Sequence, residues 1–522
     1  MSRIFIFFVF LSTLAYGQHM PIDWSSLTRS PGSVLKVIPK DSNTFYTLRW
    51  SGGNTFGSYK FTLHDFFEKI SEKRIKPTTG VGIGNFETAF YAGNLLYSFI
   101  SDKTGIESEL YVQTYSEELS ETGVPELVAS YSNPKIGAKS NFYIQQSINQ
   151  KYFGIMWEIP GQRKVSDVYG YKIFDNKFNT ISQGQYAIPF DGNMSTINEF
   201  HLTNDGEFYL SLTEHHKAND RFFTQDYRNF KAIHLYRIKN DSLKEYSLDL
   251  EDYRVDDMKF NSNESNVVSL TGVFGKGINQ GIQGVFQLKI DTREDSVISK
   301  GFTLFDENLA LERFDNENIQ TNFSNRNNVN NNNSYFYDYQ MRDLFLQKDG
   351  TLIGSIEQYY VYRRMNYDNR TGLSSTVYYY YYDDIIAFKL GLNGEFVWQK
   401  RIEKSQVSIN DGGPFSSYSS FCDGEKIYFL FNDNSNNYGD DGQFSQEGER
   451  VYSSNLSMRR NVAASAEIDL LSGSMFRKTL FTRKDLKSLV LPKMFELDQK
   501  NRLLFLYAVN GLNERFGIIK FK

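Results

Sequence analysis

Three groups of side chains in this 522-residue sequence are of kinds that bind or react. The first is Glu214-His215-His216, with Asp220 and Asp226 shortly after it. Imidazole and carboxylate are metal-ligand types, but a usual zinc site needs wider, defined spacing than adjacent histidines provide. His215 and His216 are therefore read as loop residues open to a partner, and no metal is expected. The second group is Tyr359-Tyr360-Val361-Tyr362-Arg363-Arg364-Met365-Asn366-Tyr367. Tyr rings are rigid and amphipathic, and Arg adds a planar donor fork, so the run suits a protein interface or a sugar platform. Tyr359 and Tyr360, like Tyr378 to Tyr382, also suit internal packing, which leaves Tyr362, Arg363, Arg364 and Tyr367 as the candidate contact residues. The third group is the acid pairs Asp256-Asp257 and Asp383-Asp384, each at the start of a strand. Neighbours on a strand point to opposite faces, so neither pair serves by itself as a glycosidase dyad.

Other chemistries leave no trace in the sequence. There is no Gly-x-Ser-x-Gly elbow, no phosphate-binding loop and no dinucleotide fingerprint, so no catalytic residue is assigned and no cofactor is expected. Cys422 is the single cysteine, so no intramolecular disulfide forms. It reads as a small buried apolar side chain, since no His lies near it in sequence to activate it. The net charge is −5, with Lys and Arg dispersed among Asp and Glu. Without a basic stripe, a nucleic-acid partner is not expected. At 40% hydrophobic and 16% aromatic, with 10 Pro, the composition is that of a core-forming chain.

The start of the chain reads as an export signal over residues 1–17. Arg3 gives a positive beginning, Ile4 to Leu14 is apolar, and Ala15-Tyr16-Gly17 supplies small residues for cleavage before Gln18. The apolar run is short for a membrane span, and no Cys follows the cleavage point, so neither a transmembrane anchor nor a lipoprotein is expected. Residues 18–522 then form one exported domain, secreted or periplasmic, held by its core and not by disulfide staples.

The elements that position the candidate residues are strands. Ile197 to Leu212 reads as a strand, a tight turn at Asn204-Asp205-Gly206 and a more apolar strand. Asp-Gly between apolar runs is a strong hairpin signal, because Gly takes the positive φ of the turn without steric cost. The same phrase occurs eight times, turning also at Asp41-Ser42-Asn43, Ala92-Gly93-Asn94, Asn149-Gln150-Lys151, Asn263-Glu264-Ser265, Lys348-Asp349-Gly350, Asp423-Gly424-Glu425 and Asp498-Gln499-Lys500. The second strand of a unit is apolar on both faces, as in Leu95 to Ile100, Val267 to Phe274, Ile427 to Phe431 and Leu503 to Val509, which implies cover on both sides. A third strand follows in every unit and a fourth in seven. The eighth stops at Phe521-Lys522 without one.

This rhythm resembles the β-propeller superfamily over nearly the whole mature length, at the level of fold and not of a particular family. The resemblance implies an all-β propeller of about eight four-stranded blades, with seven as the alternative. It also implies closure of the ring by Pro21 to Thr28 as the missing outer strand of the last blade. Two or three β-sandwich domains, or an open β-solenoid, would be the competing architectures, but no Pro-, Gly- or Ser-rich linker divides the chain into domains.

Placed on such a disc, the long insertions 214–227, 306–338, 363–375 and 433–459 fall on one face, over units four to seven. Loops of that length are usually functional or disordered. The leading expectation is a non-enzymatic exported propeller that binds a protein or glycan through this inserted face. One alternative is a polysaccharide hydrolase or lyase, with acids from several blades meeting at the channel mouth. Another is a structural envelope component.

Overall fold

The computed structural model describes residues 20–52, 57–65, 68–79, 82, 84–102, 107–132, 142–159, 165–191, 195–216, 230–239, 242–248, 250, 253–262, 266–276, 281–306, 309, 338–367, 370, 374–446 and 451–521. The expected export signal lies outside them, as do the Asn263-Glu264-Ser265 turn and most of the insertions 214–227 and 306–338.

The described chain is an all-β propeller of eight antiparallel sheets, each built around four strands. The tight turns do what their residues require. Gly93 and Asn94 stand at φ 55° and 66° between Asn85–Ala92 and Leu95–Asp102, a geometry that Gly and Asn tolerate best. The second strand of every blade carries a run of buried residues. In blade 6, Leu352 to Gln358 is buried at every position, as a strand pressed between neighbouring sheets must be.

Adjacent blades are joined by shared apolar clusters. Tyr46, Leu48 and Phe61 of blade 1 pack with Ala89 and Leu96 of blade 2, and the pattern continues from blade to blade. Val34, Val37 and Phe45 of blade 1 pack in turn with Phe505, Tyr507 and Phe516 of blade 8. Each large side chain so buried contributes about 1.5–3 kcal/mol.

Blade 8 is assembled from both ends of the chain. Its outer strand is Ile22–Trp24, paired antiparallel to Asn513–Lys520 with Ile22 opposite Ile519 and Trp24 opposite Gly517. Thr28–Arg29 continues along the same partner. Gly517 leaves room for the Trp24 ring, whose carbons would lie 2.9–3.0 Å from a Cβ there. The inner strand of this blade is broken into Leu489–Val490 and Glu496–Asp498 by a 3₁₀ turn over Pro492–Met494. Pro492 lacks the N–H that a continuous ladder needs.

Two insertions differ from the loops that the sequence suggests. Arg363 to Ser375 is mostly strand: Leu352–Tyr367 and Ser374–Leu390 run on as one long hairpin, paired from Tyr359↔Tyr382 to Tyr367↔Ser374. The run is polar, but its tyrosines stack across the ladder, which is what a pleated surface favours. In the insertion 433–459, Asp433 ties down the first part. It accepts hydrogen bonds from Asn437 Nδ2 (2.8 Å) and Tyr438 OH (2.7 Å) and pairs with Arg477.

Candidate functional site

The blade 6 hairpin changes character at one point. Up to Gln358 its second strand is buried; from Val361 to Tyr367 every residue is exposed. The change coincides with a register shift between Glu357 and Tyr359. At that base Glu357 is fully buried and accepts from Lys404 Nζ (2.9 Å), Ser417 Oγ (2.6 Å) and Arg342 Nε (3.0 Å). Lys404 Nζ also donates to Tyr382 O at 2.8 Å, so the ion pair clamps the hairpin root. A short strand, Val407–Ile409, pairs with Tyr379 to Tyr381 along one edge.

Above this root, tyrosine pairs stack across the hairpin. Tyr359 and Tyr382 lie 4.7 Å apart, and Tyr360 and Tyr381 lie 4.6 Å apart and nearly parallel. Tyr362 and Tyr367 are 54% and 67% exposed, with Met365 and Val361 beside them. Arg363 and Arg364 are also exposed. The structure thus places all four on one exposed hairpin, Tyr362 and Arg364 on one face and Arg363 and Tyr367 on the other.

His215 and His216 are elsewhere, in blade 4. His215 is the last residue of the strand Phe208–His215 rather than a loop residue, with Nε2 at 3.0 Å from Thr196 Oγ1. Burial holds its pKa below the ordinary imidazole value. Glu214 does not serve the histidine beside it. Strand alternation turns it the other way, toward Lys231 Nζ (2.6 Å) and His234 Nε2 (3.1 Å). His216 is exposed. Among the described residues no three His, Cys, Asp or Glu side chains are grouped to hold a metal ion.

A second site appears that the sequence reading did not assign. The innermost strand carries a β-bulge in blades 1, 2, 4, 5 and 6, where Leu35, Glu87, Asn198, Asp256 and Arg342 are the extra residues. A bulge bends the strand and re-aims the side chains around it. The residues just after it are Lys36, Thr88, Glu199, Asp257 and Asp343. They form a tier around the axis: Lys36 Nζ lies 3.5 Å from Thr88 Oγ1, and Met341 N of blade 6 donates to Asp257 Oδ2 at 2.9 Å. The paired acids do diverge as strand geometry requires. Asp256 takes Arg254, while Asp257 accepts backbone N–H groups.

On this tier opens a cavity of about 380 Å³, lined by the inner strands of blades 4 to 8. Its charged residues are Glu199, Lys259, Arg342, Asp343 and Lys493. Burial pushes the Glu199 carboxyl up to about 7 and raises that of Asp343. Burial also pulls the Lys493 ammonium down to about 8, against the field of Glu357 and with that of Arg342 and Lys404. Lys493 Nζ meets only neutral oxygens, donating to Tyr382 OH at 2.6 Å and Gly412 O at 3.1 Å. Among the described residues, Lys259 Nζ and the Glu199 carboxylate have no hydrogen-bond or ion-pair partner. Two sequence signals could have pointed here: Pro492, which interrupts the last inner strand, and the recurrence of charge near the start of inner strands.

No protein-family profile matches this chain, and no curated protein matches it. Among solved structures it is similar to the WD40 domain of SCAP from fission yeast, at 10% identity and a TM-score of 0.35, over 98% of this chain and 96% of that one. It is also similar to an acylaminoacyl peptidase of Pyrococcus horikoshii, at 8% identity and a TM-score of 0.35, over 91% of this chain but 57% of the peptidase. A Synechocystis ACO mutant matches at 10% identity and a TM-score of 0.35, over 88% of this chain and 92% of that one. None of these likenesses carries a statement about activity; the propeller rests on the sheets themselves.

Proposed function

We propose that this protein is an exported, non-enzymatic propeller that docks a protein partner on the projecting hairpin of blade 6. The observation that carries the proposal is the abrupt passage from complete burial at Leu352 to Gln358 to complete exposure at Val361 to Tyr367 within one continuous strand. A ladder of exposed Tyr, Met and Arg held on a clamped root gives a partner rigid aromatic anchors at low entropic cost. The hairpin projects instead of enclosing a groove, which favours a protein surface over a buried sugar. Export draws its support from Arg3 and the apolar run that follows it.

The test replaces Tyr362, Arg363, Arg364 and Tyr367 together by Ala and compares capture from extracellular and envelope fractions with that by the unaltered protein. A partner retained by the native chain and lost by the variant is expected. A partner held equally by both would remove the hairpin from the interface. Capture of a glycan array spot in place of a protein would reassign the ligand. Release of reducing ends from a polysaccharide, abolished by Glu199→Gln, would replace the docking role with a hydrolytic one.

A further inference from the structure

The axial cavity presents three cations, two of which no carboxylate among the described residues touches directly. Lys259 comes from the inner strand of blade 5, Arg342 from that of blade 6 and Lys493 from the 3₁₀ turn of blade 8. Arg342 is balanced by Glu357, which it meets through Nε and Nη2, each at 3.0 Å. Lys493 is not balanced in this way, since its two contacts are a phenol and a peptide carbonyl. Lys259 is the barest, with no hydrogen-bond or ion-pair partner among the described residues. A partly buried ammonium without a partner is costly, and natural interiors pair such groups.

The carboxylates on the same wall reach Lys259 only through their field. Asp343 is engaged by Ser355 Oγ at 3.2 Å, and among the described residues the Glu199 carboxylate has no hydrogen-bond or ion-pair partner. Burial holds both toward their neutral forms. These two acids still set a limit on the guest, because a dianion would face them across the cavity. A monoanion satisfies Lys259 and Lys493 with less repulsion. The remaining wall includes Phe260, Phe345 and Phe495, which suits a body with an apolar face. The volume, about 380 Å³, lies in the range of small-ligand pockets.

We propose that the axial cavity is a binding site for a small organic monocarboxylate, whose head group is received by Lys259 and Lys493 and whose body lies against the phenylalanine wall. This site is separate from the blade 6 hairpin and does not depend on the docking role proposed for it.

The test is calorimetric titration of the full chain with benzoate and D-glucuronate, with benzyl alcohol and D-glucose as neutral counterparts, and with inorganic phosphate. At least one of the two monocarboxylates is expected to bind, and its neutral counterpart to bind at least about tenfold more weakly, the difference made by a charge-assisted contact. Lys259→Met is expected to weaken the carboxylate by a similar factor. Glu199→Gln, which removes the nearest repelling acid while keeping the shape, is expected to tighten it severalfold at pH 8. Equal binding of charged and neutral probes, no binding of either carboxylate, or tighter binding of phosphate would overturn the proposal. If Lys259→Met fails to fold, the Glu199→Gln result decides: weaker carboxylate binding there also overturns it.

Discussion

Two of the groups of charged side chains inside this propeller are built in opposite ways. At the seam between blades 8 and 1, Arg49 and Glu514 form a two-pronged pair, both prongs at 2.8 Å, with side-chain exposures of 0% and 3%. Arg49 and Glu514 make further hydrogen bonds there. Arg49 Nε donates to Thr47 Oγ1 at 2.8 Å, Arg49 Nη1 to Gly32 O at 3.2 Å, and Tyr507 OH to Glu514 Oε2 at 3.0 Å. His64 beside them is kept neutral, burial and then Arg49 pulling it down to about 3. In the axial cavity, by contrast, the Lys259 ammonium and the Glu199 carboxylate feel one another's field, and neither head group has a hydrogen-bond or ion-pair partner among the described residues. A saturated buried network reads as structure. An unsaturated one, in a cavity with room for a guest, reads as a site.

The comparison breaks first at the seam. Glu514→Gln leaves Arg49 buried without its counter-charge and is expected to cost about 3–5 kcal/mol, measured by chemical denaturation. A loss below about 1 kcal/mol would place the seam with ordinary surface pairs. Gly517→Val drives a side chain into the Trp24 ring and is expected to cost about 1–3 kcal/mol by the same measurement.

The cavity responds with the opposite sign. The folded Glu199 carboxyl is raised to about 7 from an ordinary value of 4.5. Its ionisation therefore penalises the fold increasingly as pH rises from about 4.5 to 7, and the penalty is constant above that. Glu199→Gln removes the penalty and is expected to stabilise the protein by about 1–3 kcal/mol at pH 8 and by nothing measurable at pH 4. Equal effects at both pH values would show that Glu199 is not held toward neutrality. The smallest change is expected on the hairpin, where Tyr362→Ala shifts stability by less than about 0.5 kcal/mol because its side chain is already exposed. A larger loss would mean that this ladder supports the blade rather than extends from it.

The strands were legible in the sequence because their signals are local. Asp-Gly and Gly-Asn turns fix hairpins, and continuous apolar runs such as Val267 to Phe274 declare a strand covered on both faces. The missing eighth outer strand pointed to Pro21 to Thr28, where Ile22–Trp24 does pair with the last strand. The cavity was not legible. A bulge adds one residue to an inner strand, so Ile197-Asn198-Glu199 or Met341-Arg342-Asp343 can be read on either face until the partner strand is known. Its charged residues also come from four blades, and no local pattern brings Glu199 near Lys493. The hairpin residues were legible by type and misread by element. Arg363 to Ser375 has a loop's polarity, and only the stacking of Tyr359 on Tyr382 and Tyr360 on Tyr381 shows why it stays extended. His215 was read as a loop residue, but it closes the strand Phe208–His215, and His216 beyond it is exposed.

Ile22–Trp24 and Asn513–Lys520 share one sheet although nearly the whole polypeptide lies between them. During synthesis the earlier segment must wait, unpaired, until the later one has left the ribosome, so the eighth sheet is the last to be completed. Until Ile22–Trp24 docks, the Asn513–Lys520 edge of a newly synthesised chain is an adhesive border that another copy can occupy. A nick or truncation that removes Ile22–Trp24 recreates that border in the finished protein, and sheet-to-sheet clumping is the failure this architecture invites.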